Sequence, residues 1–230
     1  MKYRNLFFDL DDTIWAFSRN ARDTFEEVYR KYSFERYFDS FDHYYTIYQQ
    51  RNTELWIEYG EGKITKDELN WQRFSYPLQA VGVEDETLAE KFSEDFFAII
   101  PTKSGLMPYA KEVLEYLAPK YNLYILSNGF RELQSRKMRS AGVDIYFKKV
   151  ILSEDLGVLK PWPEIFNFAL SATQSELRES LMIGDSWEAD ITGAHGVGMH
   201  QAFYNVTERT AFPFLPTYHI YSLKELMDLL

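Results

Sequence analysis

Short apolar segments that end at polar residues recur along the chain. Such segments are typical of strands buried on both faces of a parallel sheet, because neither face of such a strand meets water. Five of them are present, at residues 6–8, 123–126, 150–152, 181–183 and 199–204. The pattern predicts that these five segments are strands of one parallel sheet.

Segments with helical spacing lie between the predicted strands. Residues 109–118 carry apolar side chains on one helical face, at Val113, Leu114 and Leu117. Prolines at 161 and 163 precede residues 164–172, as expected at a helix start, and residues 223–230 predict a short last helix. Strands alternating with helices predict right-handed crossovers and a three-layer α/β core with a Rossmann-like parallel sheet.

Residues 16–100 do not follow this alternation. They contain no buried-strand segment, and their aromatic residues recur at helical spacing, as at Phe25, Tyr29 and Tyr32. Glycine-containing breaks at residues 60–63 and 81–83 divide the stretch into helices. We predict an all-helical cap domain at 16–100, inserted after the first strand of a core domain formed by 1–15 and 101–230.

Composition and charge exclude several classes of protein. The 230 residues are 46% apolar, which is enough for a packed core. A net charge of −10 argues against binding a nucleic-acid polymer, which needs a basic surface. The absence of cysteine removes disulfides and thiolate chemistry. No segment predicts a signal peptide or membrane span, so we expect a cytoplasmic monomer or small homo-oligomer without a membrane partner.

Two carboxylates follow the first predicted strand directly. Asp9 and Asp11 are one residue apart, so in an extended chain their side chains point to the same side, roughly 7 Å from each other. A Mg²⁺ ion between them would relieve their repulsion. The alternative is a solvent-exposed acidic turn, which the acidic run taken alone favours.

Asp185 follows the fourth predicted strand. Because ligands bind at the carboxyl ends of parallel strands, Asp185 and Asp9 converge on one site. Asp185 would then be a metal ligand, with Asp190 orienting a metal-bound water or pairing with a lysine. The structural alternative is a capping box between Asp185 and Glu188 at a helix start. Both hypotheses can hold together, because an N-cap residue can also face a ligand.

Two further segments offer groups that would bind a phosphate. The Ser127 hydroxyl and the backbone N–H groups of Asn128 and Gly129 follow the second predicted strand, at the start of the next helix. The alternative there is an ordinary Asn-Gly turn. Lys160 would neutralise phosphate charge, and its alternative is a surface lysine before a proline-started helix.

Together these segments resemble the four motifs of the haloacid dehalogenase superfamily, whose members are mostly phosphatases. The motifs stand as Asp9-Leu10-Asp11-Asp12-Thr13, Ser127-Asn128-Gly129, Lys160-Pro161 and Gly184-Asp185-Ser186-Trp187-Glu188-Ala189-Asp190. The position of the insertion is similar to that of the helical cap in the first cap class of the superfamily. The dehalogenases lack an acid at the place of Asp11, so the resemblance implies phosphoryl chemistry.

The resemblance implies a role for each motif residue. Asp9 is the nucleophile and Asp11 the general acid and base. Mg²⁺ is held by the Asp9 carboxylate, the Asp11 backbone carbonyl and the Asp185 carboxylate. The phosphate of a small phosphorylated metabolite is bound by the remaining motif groups, those of Ser127, Asn128, Gly129 and Lys160. Supporting roles fall to Thr13, which braces the first turn, and to Asp190.

The predicted cap and two core segments resemble a bacterial pyrimidine 5′-nucleotidase subfamily. The similar residues in the cap are Leu55-Trp56-Ile57-Glu58-Tyr59, Gly62, Ile64-Thr65 and Arg73-Phe74, and in the core Asn128-Gly129-Phe130, Gln134 and 153–158. Other hypotheses stay open: a sugar-phosphate or acylneuraminate 9-phosphate phosphatase, a promiscuous phosphatase, or an inactive binding module of the same fold. Trp15 is expected near the site entrance, where it would stack on a base.

Overall fold

The computed structural model describes residues 2–230. The chain forms two compact units, one made of Met1–Ser18 with Ser104–Leu230 and the other of Arg19–Lys103. The boundaries predicted from the sequence, after residues 15 and 100, differ from these by three residues at each junction. Within residues 2–230, none of the helices has the length and apolar character needed to cross a bilayer.

The first unit contains a six-stranded parallel sheet with strand order β3-β2-β1-β4-β5-β6. The five predicted strands are present, each within one residue of its predicted bounds. A sixth strand was missed, because its three residues carry only one fully buried apolar side chain. The strands are β1 Asn5–Phe8, β2 Asn122–Ser127, β3 Lys149–Leu152, β4 Ser180–Gly184, β5 His200–Tyr204 and β6 Tyr218–Ile220.

Helices lie between the successive strands from β2 to β5, in the predicted alternation, whereas β5 and β6 are joined without a helix. Every residue of β4 is buried and the apolar side chains of β1 are completely inaccessible, so both sheet faces are covered. The predicted three-layer α/β fold is confirmed. The helices are α5 Ala110–Leu117, α6 Arg131–Ser140, α7 Pro163–Thr173, α8 Thr192–Gly196 and α9 Leu226–Leu229.

The strand order places a switch point at β1. This central strand pairs with β2 on one side and β4 on the other, with Phe8 opposite both Ile125 and Ile183. Ligands bind where the strand order reverses in such sheets. The loops that follow β1, β2 and β4 therefore start side by side at one edge of the sheet.

The second unit is helical. Its core is a cluster of aromatic rings around Phe25, with the neighbouring ring centroids of Tyr48 at 4.1 Å and Phe96 at 4.3 Å. Phe25 and Tyr29 are thus core positions, whereas Tyr32 is half-buried and its hydroxyl donates to Asp95 Oδ2 at 2.6 Å. The helices are α1 Phe17–Lys31, α2 Phe41–Gly60, α3 Lys66–Ala80 and α4 Glu86–Ile99, and α1 begins within the first unit.

Candidate active site

Three carboxylates meet at the carboxyl edge of the sheet. Asp9 follows β1, Asp185 follows β4, and Asp190 lies in a single π-helical turn, Trp187–Ile191. One oxygen of each lies within 4.8 Å of the others. Asp9 is only 8% exposed, so the alternative of a solvated acidic turn is wrong for this residue.

Lys160 is buried among these carboxylates. Its Nζ donates to Asp9 Oδ1 at 2.7 Å, to Asp190 Oδ1 at 2.6 Å and to the Leu126 carbonyl at 2.8 Å. All three ammonium hydrogens therefore have acceptors. Burial alone would lower the pKa of Lys160, but the charges of Asp190 and Asp9 outweigh it and raise that pKa. The alternative of a surface lysine is wrong.

The cluster carries more negative than positive charge. Burial raises the pKa of Asp9 to about 7, against the lowering effect of Lys160. Burial and the charges of Asp9 and Asp190 raise the pKa of Asp185 to about 8. Three carboxylates share one ammonium group, so a divalent cation would balance the charge.

The hydrogen bonds of the cluster leave two oxygens available to such a cation. Within residues 2–230, Oδ2 of Asp9 and Oδ2 of Asp185 accept no hydrogen bond. Asp190 uses both oxygens, because its Oδ2 accepts from the Ser186 N–H at 3.1 Å. The donor set therefore fits a cation bound by Asp9 and Asp185, with Asp190 fixing Lys160.

The loop after β4 adopts a different helix start from the expected one. Ser186 is the N-cap, accepting from the Ala189 N–H at 3.1 Å, and Glu188 pairs with Arg209 instead. The capping box between Asp185 and Glu188 is therefore wrong, and the Asp185 carboxylate has no capping function. A Cβ at Gly184 would lie 2.1 Å from Asp190 Oδ2, so glycine leaves room for that carboxylate.

Thr13 connects the first motif to the last. Its hydroxyl accepts from the Asp185 N–H at 3.0 Å and donates to Asp185 Oδ1 at 2.8 Å. A single fully buried side chain thus fixes both the backbone and the carboxylate of Asp185. Asp12 has a separate role: its carboxylate accepts from the N–H and the hydroxyl of Ser18, near the start of α1.

The Asn128 side chain of the second motif holds the backbone of Lys160 in place. The Asn128 amide donates to the Lys160 carbonyl at 3.1 Å and accepts from the Lys160 N–H at 2.8 Å. This side chain therefore holds the backbone that carries Lys160. Gly129 has no left-handed backbone conformation, so an Asn-Gly turn that requires one is wrong.

Asp11 has partners that sequence reasoning missed. Its Oδ1 lies 2.8 Å from Lys137 Nζ and its Oδ2 2.8 Å from Gln134 Nε2, both on α6. The resemblance to nucleotidases includes Gln134 but implies no role for it, and Lys137 is not among the motif residues. The available signal was their spacing of three residues, which places both side chains on one face of a helix.

The haloacid dehalogenase-like hydrolase family matches residues 3–198. The chain belongs to this family. The predicted superfamily is thereby confirmed. The prediction that the protein is an enzyme, rather than an inactive binding module, is confirmed as well.

Three relatives of this haloacid dehalogenase-like hydrolase match over nearly their whole length. The HAD-hydrolase YfnB of Bacillus subtilis is 33% identical, covering 100% of this chain and 96% of its own. Its magnesium-bound crystal structure superposes with a TM-score of 0.88, at 29% identity over 100% and 99% of the two chains. The pyrimidine 5′-nucleotidases YjjG of Escherichia coli and PynA of Streptococcus pneumoniae are each 31% identical, covering 100% of this chain and 99% and 96% of theirs.

Trp15 does not lie where the sequence predicted. In this hydrolase its side chain is fully buried, with Lys137 Nζ 4.7 Å from its ring centroid. A buried ring has no free face on which a base could stack. The expectation of Trp15 at the site entrance, stacked on a base, is therefore wrong, because its ring is fully buried.

Proposed function

We propose that this hydrolase is a magnesium-dependent phosphoric monoester hydrolase that acts through an aspartyl phosphate on Asp9. We further propose pyrimidine nucleoside monophosphates as its substrates. The observation that carries the catalytic part is the buried cluster of Asp9, Asp185 and Asp190 around Lys160. The full-length similarity to two pyrimidine 5′-nucleotidases supports the substrate class.

Asp9 is proposed as the nucleophile. Its Oδ2 is the oxygen proposed to bind the cation, so Oδ1, which Lys160 holds at 2.7 Å, attacks phosphorus in line with the leaving oxygen. The attack forms the bond between Oδ1 and phosphorus and breaks the bond between phosphorus and the ester oxygen. Asp9 must be ionised to attack, and its pKa of about 7 lies close to neutrality, so a nearby cation favours the reactive form.

Asp11 is proposed as the general acid and base. In its protonated form it gives its proton to the leaving ester oxygen, and the carboxylate so formed later takes a proton from the water that cleaves the aspartyl phosphate. Its carboxylate is held on both oxygens by α6, through Gln134 and Lys137. A carboxylate fixed in this way keeps one direction throughout the two half-reactions.

Charge on the transferring phosphoryl group is offset by the chain's own donors. Lys160 lies directly beside Asp9, and the Ser127 hydroxyl stands at the end of the neighbouring strand β2. Asp9 and Asp185, with the Asp11 carbonyl proposed as a further ligand, would hold the Mg²⁺ ion. When bound, the ion would supply electrostatic stabilisation of the phosphoryl oxygens.

A phosphate-release screen with Mg²⁺ tests the substrate class. The panel contains dUMP, dTMP and UMP, the matched purine monophosphates, and glyceraldehyde 3-phosphate with hexose phosphates. We expect kcat/KM to be at least about tenfold higher for the pyrimidine nucleotides, which is about 1.4 kcal/mol of discrimination. A preference for sugar phosphates would overturn the nucleotidase assignment while leaving the phosphatase assignment intact.

The covalent step has its own test. Rapid acid quench during turnover, followed by borohydride reduction, converts an aspartyl phosphate to homoserine, which peptide mass spectrometry would locate at position 9. The same procedure on the Asp9→Asn protein is the control. Turnover without any modification at Asp9 would overturn the proposed intermediate.

A further inference from the structure

Gln134 lies between two groups of the proposed mechanism. Its Nε2 donates to Asp11 Oδ2 at 2.8 Å and to Ser127 Oγ at 2.8 Å. We propose that Gln134, assisted by Lys137, is a positioning residue that sets the direction of the Asp11 carboxylate and of the Ser127 hydroxyl hydrogen. This inference rests on the proposed phosphatase function. The role of Gln134 is to orient other groups and not to react itself.

The Ser127 hydroxyl is turned into a donor by its neighbours. Its oxygen accepts from the Gly129 N–H at 3.1 Å and from Gln134 at 2.8 Å, so both of its lone pairs are used. Within residues 2–230, its hydrogen has no acceptor. The Ser127 hydroxyl is therefore free to donate its hydrogen to a bound ligand, and a phosphate oxygen is a strong acceptor.

The Asp11 carboxylate is fixed from one helix face. Gln134 and Lys137 are three residues apart on α6, and each takes one carboxylate oxygen. Lys137 is itself buried against two rings, with its Nζ 4.7 Å from the centroid of Trp15 and 5.0 Å from that of Phe17. Each carboxylate oxygen keeps a second lone pair, so the fixed carboxylate can still reach a substrate oxygen.

Gly129 provides the space that Gln134 occupies. A Cβ at this position would lie 2.1 Å from Gln134 Nε2 and 2.5 Å from its Cδ. The backbone of Gly129 is not left-handed, so its conformation does not explain the glycine. The glycine of the second motif is therefore explained by the passage of the Gln134 amide next to it.

The amide oxygen of Gln134 indicates that this side chain does not serve the stability of the fold. Its Oε1 is buried and accepts no hydrogen bond from the part of the chain that the structure describes, although the residue is completely inaccessible to solvent. A buried acceptor without a partner destabilises a fold. Both hydrogens of the amide are used, on Asp11 and Ser127, while its oxygen is not, as expected of a side chain retained for its two donors.

A double-mutant cycle tests the inference. Gln134→Met keeps the side-chain length and removes the donors, and Gly129→Ala displaces the flexible end of Gln134. We expect each to lower kcat by about 10- to 100-fold, because small misplacements of reacting groups have effects of that order. The double variant should be no slower than Gln134→Met alone, since both changes act on one amide. Additive losses would overturn the proposal.

The leaving group separates positioning from a general loss of structure. With Gln134→Met, we expect kcat to fall much more for a nucleoside monophosphate than for 4-nitrophenyl phosphate, whose leaving group hardly needs an acid. An equal fall for both substrates would overturn the role toward Asp11. Lys137→Arg should retain most of the activity that Lys137→Met loses, and failure of this rescue would contradict the part assigned to Lys137.

Two controls make the outcome specific. Ser135→Ala changes an exposed residue next to Gln134 on α6 and should keep the wild-type kcat. Thermal unfolding of all variants identifies any that fail to fold. An inactive wild-type protein would overturn the proposed function and this inference together. An active wild type with unchanged Gln134→Met kinetics would overturn the inference alone.

Discussion

Two buried lysines of the α/β unit serve the first motif in different ways. Lys160 lies among three carboxylates at the strand ends and bonds to two of them. Lys137, on α6, bonds to the single carboxylate of Asp11 and packs against aromatic rings. The first group is left with excess negative charge, whereas the second is a balanced ion pair.

The difference separates two tasks that the sequence presents as one acidic run. The Asp9 group has raised carboxyl pKa values, so it favours protons or a cation. The Asp11 group needs no further charge, and its partners fix a direction. The charge at Asp9 is therefore controlled by Lys160, and the direction of the Asp11 carboxylate is controlled by α6. Each can be changed by mutation without changing the other.

The largest expected effect is on turnover, at Asp9. Asp9→Asn should lower kcat by about 10⁴-fold or more, because it removes the proposed nucleophile. The free energy of unfolding should hold or rise, since one carboxylate leaves a crowded cluster and Lys160 keeps Asp190. Phosphate release and thermal unfolding measure the two quantities. Near wild-type turnover would contradict the assignment of Asp9.

The next effect compares the two lysines directly. Lys160→Met leaves Asp9 and Asp190 buried without their shared cation, so it should lower the free energy of unfolding by about 3–5 kcal/mol. Lys137→Met should have a smaller effect, because the Asp11 side chain is 26% exposed and water can replace the lysine. Chemical denaturation measures both. Equal losses would show that the two groups are not electrostatically different.

Most of the fold follows from the apolar pattern. The five longer strands were predictable because each contains a short apolar run that is followed by polar residues. Strand β6, Tyr218–Ile220, was not, because it lies at the sheet edge and its identity as a strand depends on pairing with β5. Helix α6, which carries Gln134 and Lys137, was expected to start after Gly129, but its length and its buried face were not predictable, because few of its residues are apolar.

The candidate site was predictable only as far as residues directly follow strands. Sequence order brings Asp9 and Asp185 to one edge of the sheet. The order of motifs does not identify the partners of Asp11, because both belong to a helix more than a hundred residues away, and their spacing indicates only that they share a helix face. The capping box at Asp185 failed for a similar reason: Ser186 is an equally good cap, and only the packed structure decides between them.

A smaller effect concerns pH and magnesium. The pKa values of Asp9 and Asp185 are raised from 3.8 to about 7 and about 8, so the folded protein binds more protons than the unfolded chain between these limits. Their contribution to metal-free stability is complete below about pH 4 and is lost as pH rises through 7 to 8. Mg²⁺ competes with those protons, so it should stabilise more at pH 8 than at pH 6.

Thermal unfolding with and without Mg²⁺ at the two pH values measures this effect. At a concentration about 100 times its dissociation constant, the ion should stabilise the fold by about 2.7 kcal/mol. Asp185→Asn is the matched control, because it removes one proposed ligand and should abolish most of the shift. A shift that is equal at both pH values would contradict a site built from these carboxyls.

The smallest effect is at the third carboxylate of the first motif, which bonds to neither lysine. Asp12 has a left-handed backbone with φ of 59° and accepts from the Ser18 N–H at 2.9 Å, so its role is structural. Asp12→Ala should lower the free energy of unfolding by about 1–2 kcal/mol, because it removes this acceptor and puts alanine in an unfavourable conformation. Asp12→Asn keeps an acceptor and tolerates that conformation, so its stability should match the wild type.

Both variants should retain turnover within about threefold, less than 1 kcal/mol in activation free energy. A large loss of kcat in the stable Asp12→Asn protein would mean that this carboxylate also takes part in the chemistry. The distinction between Asp9 and Asp11, which each bond to a lysine, and a purely structural Asp12 would then be wrong.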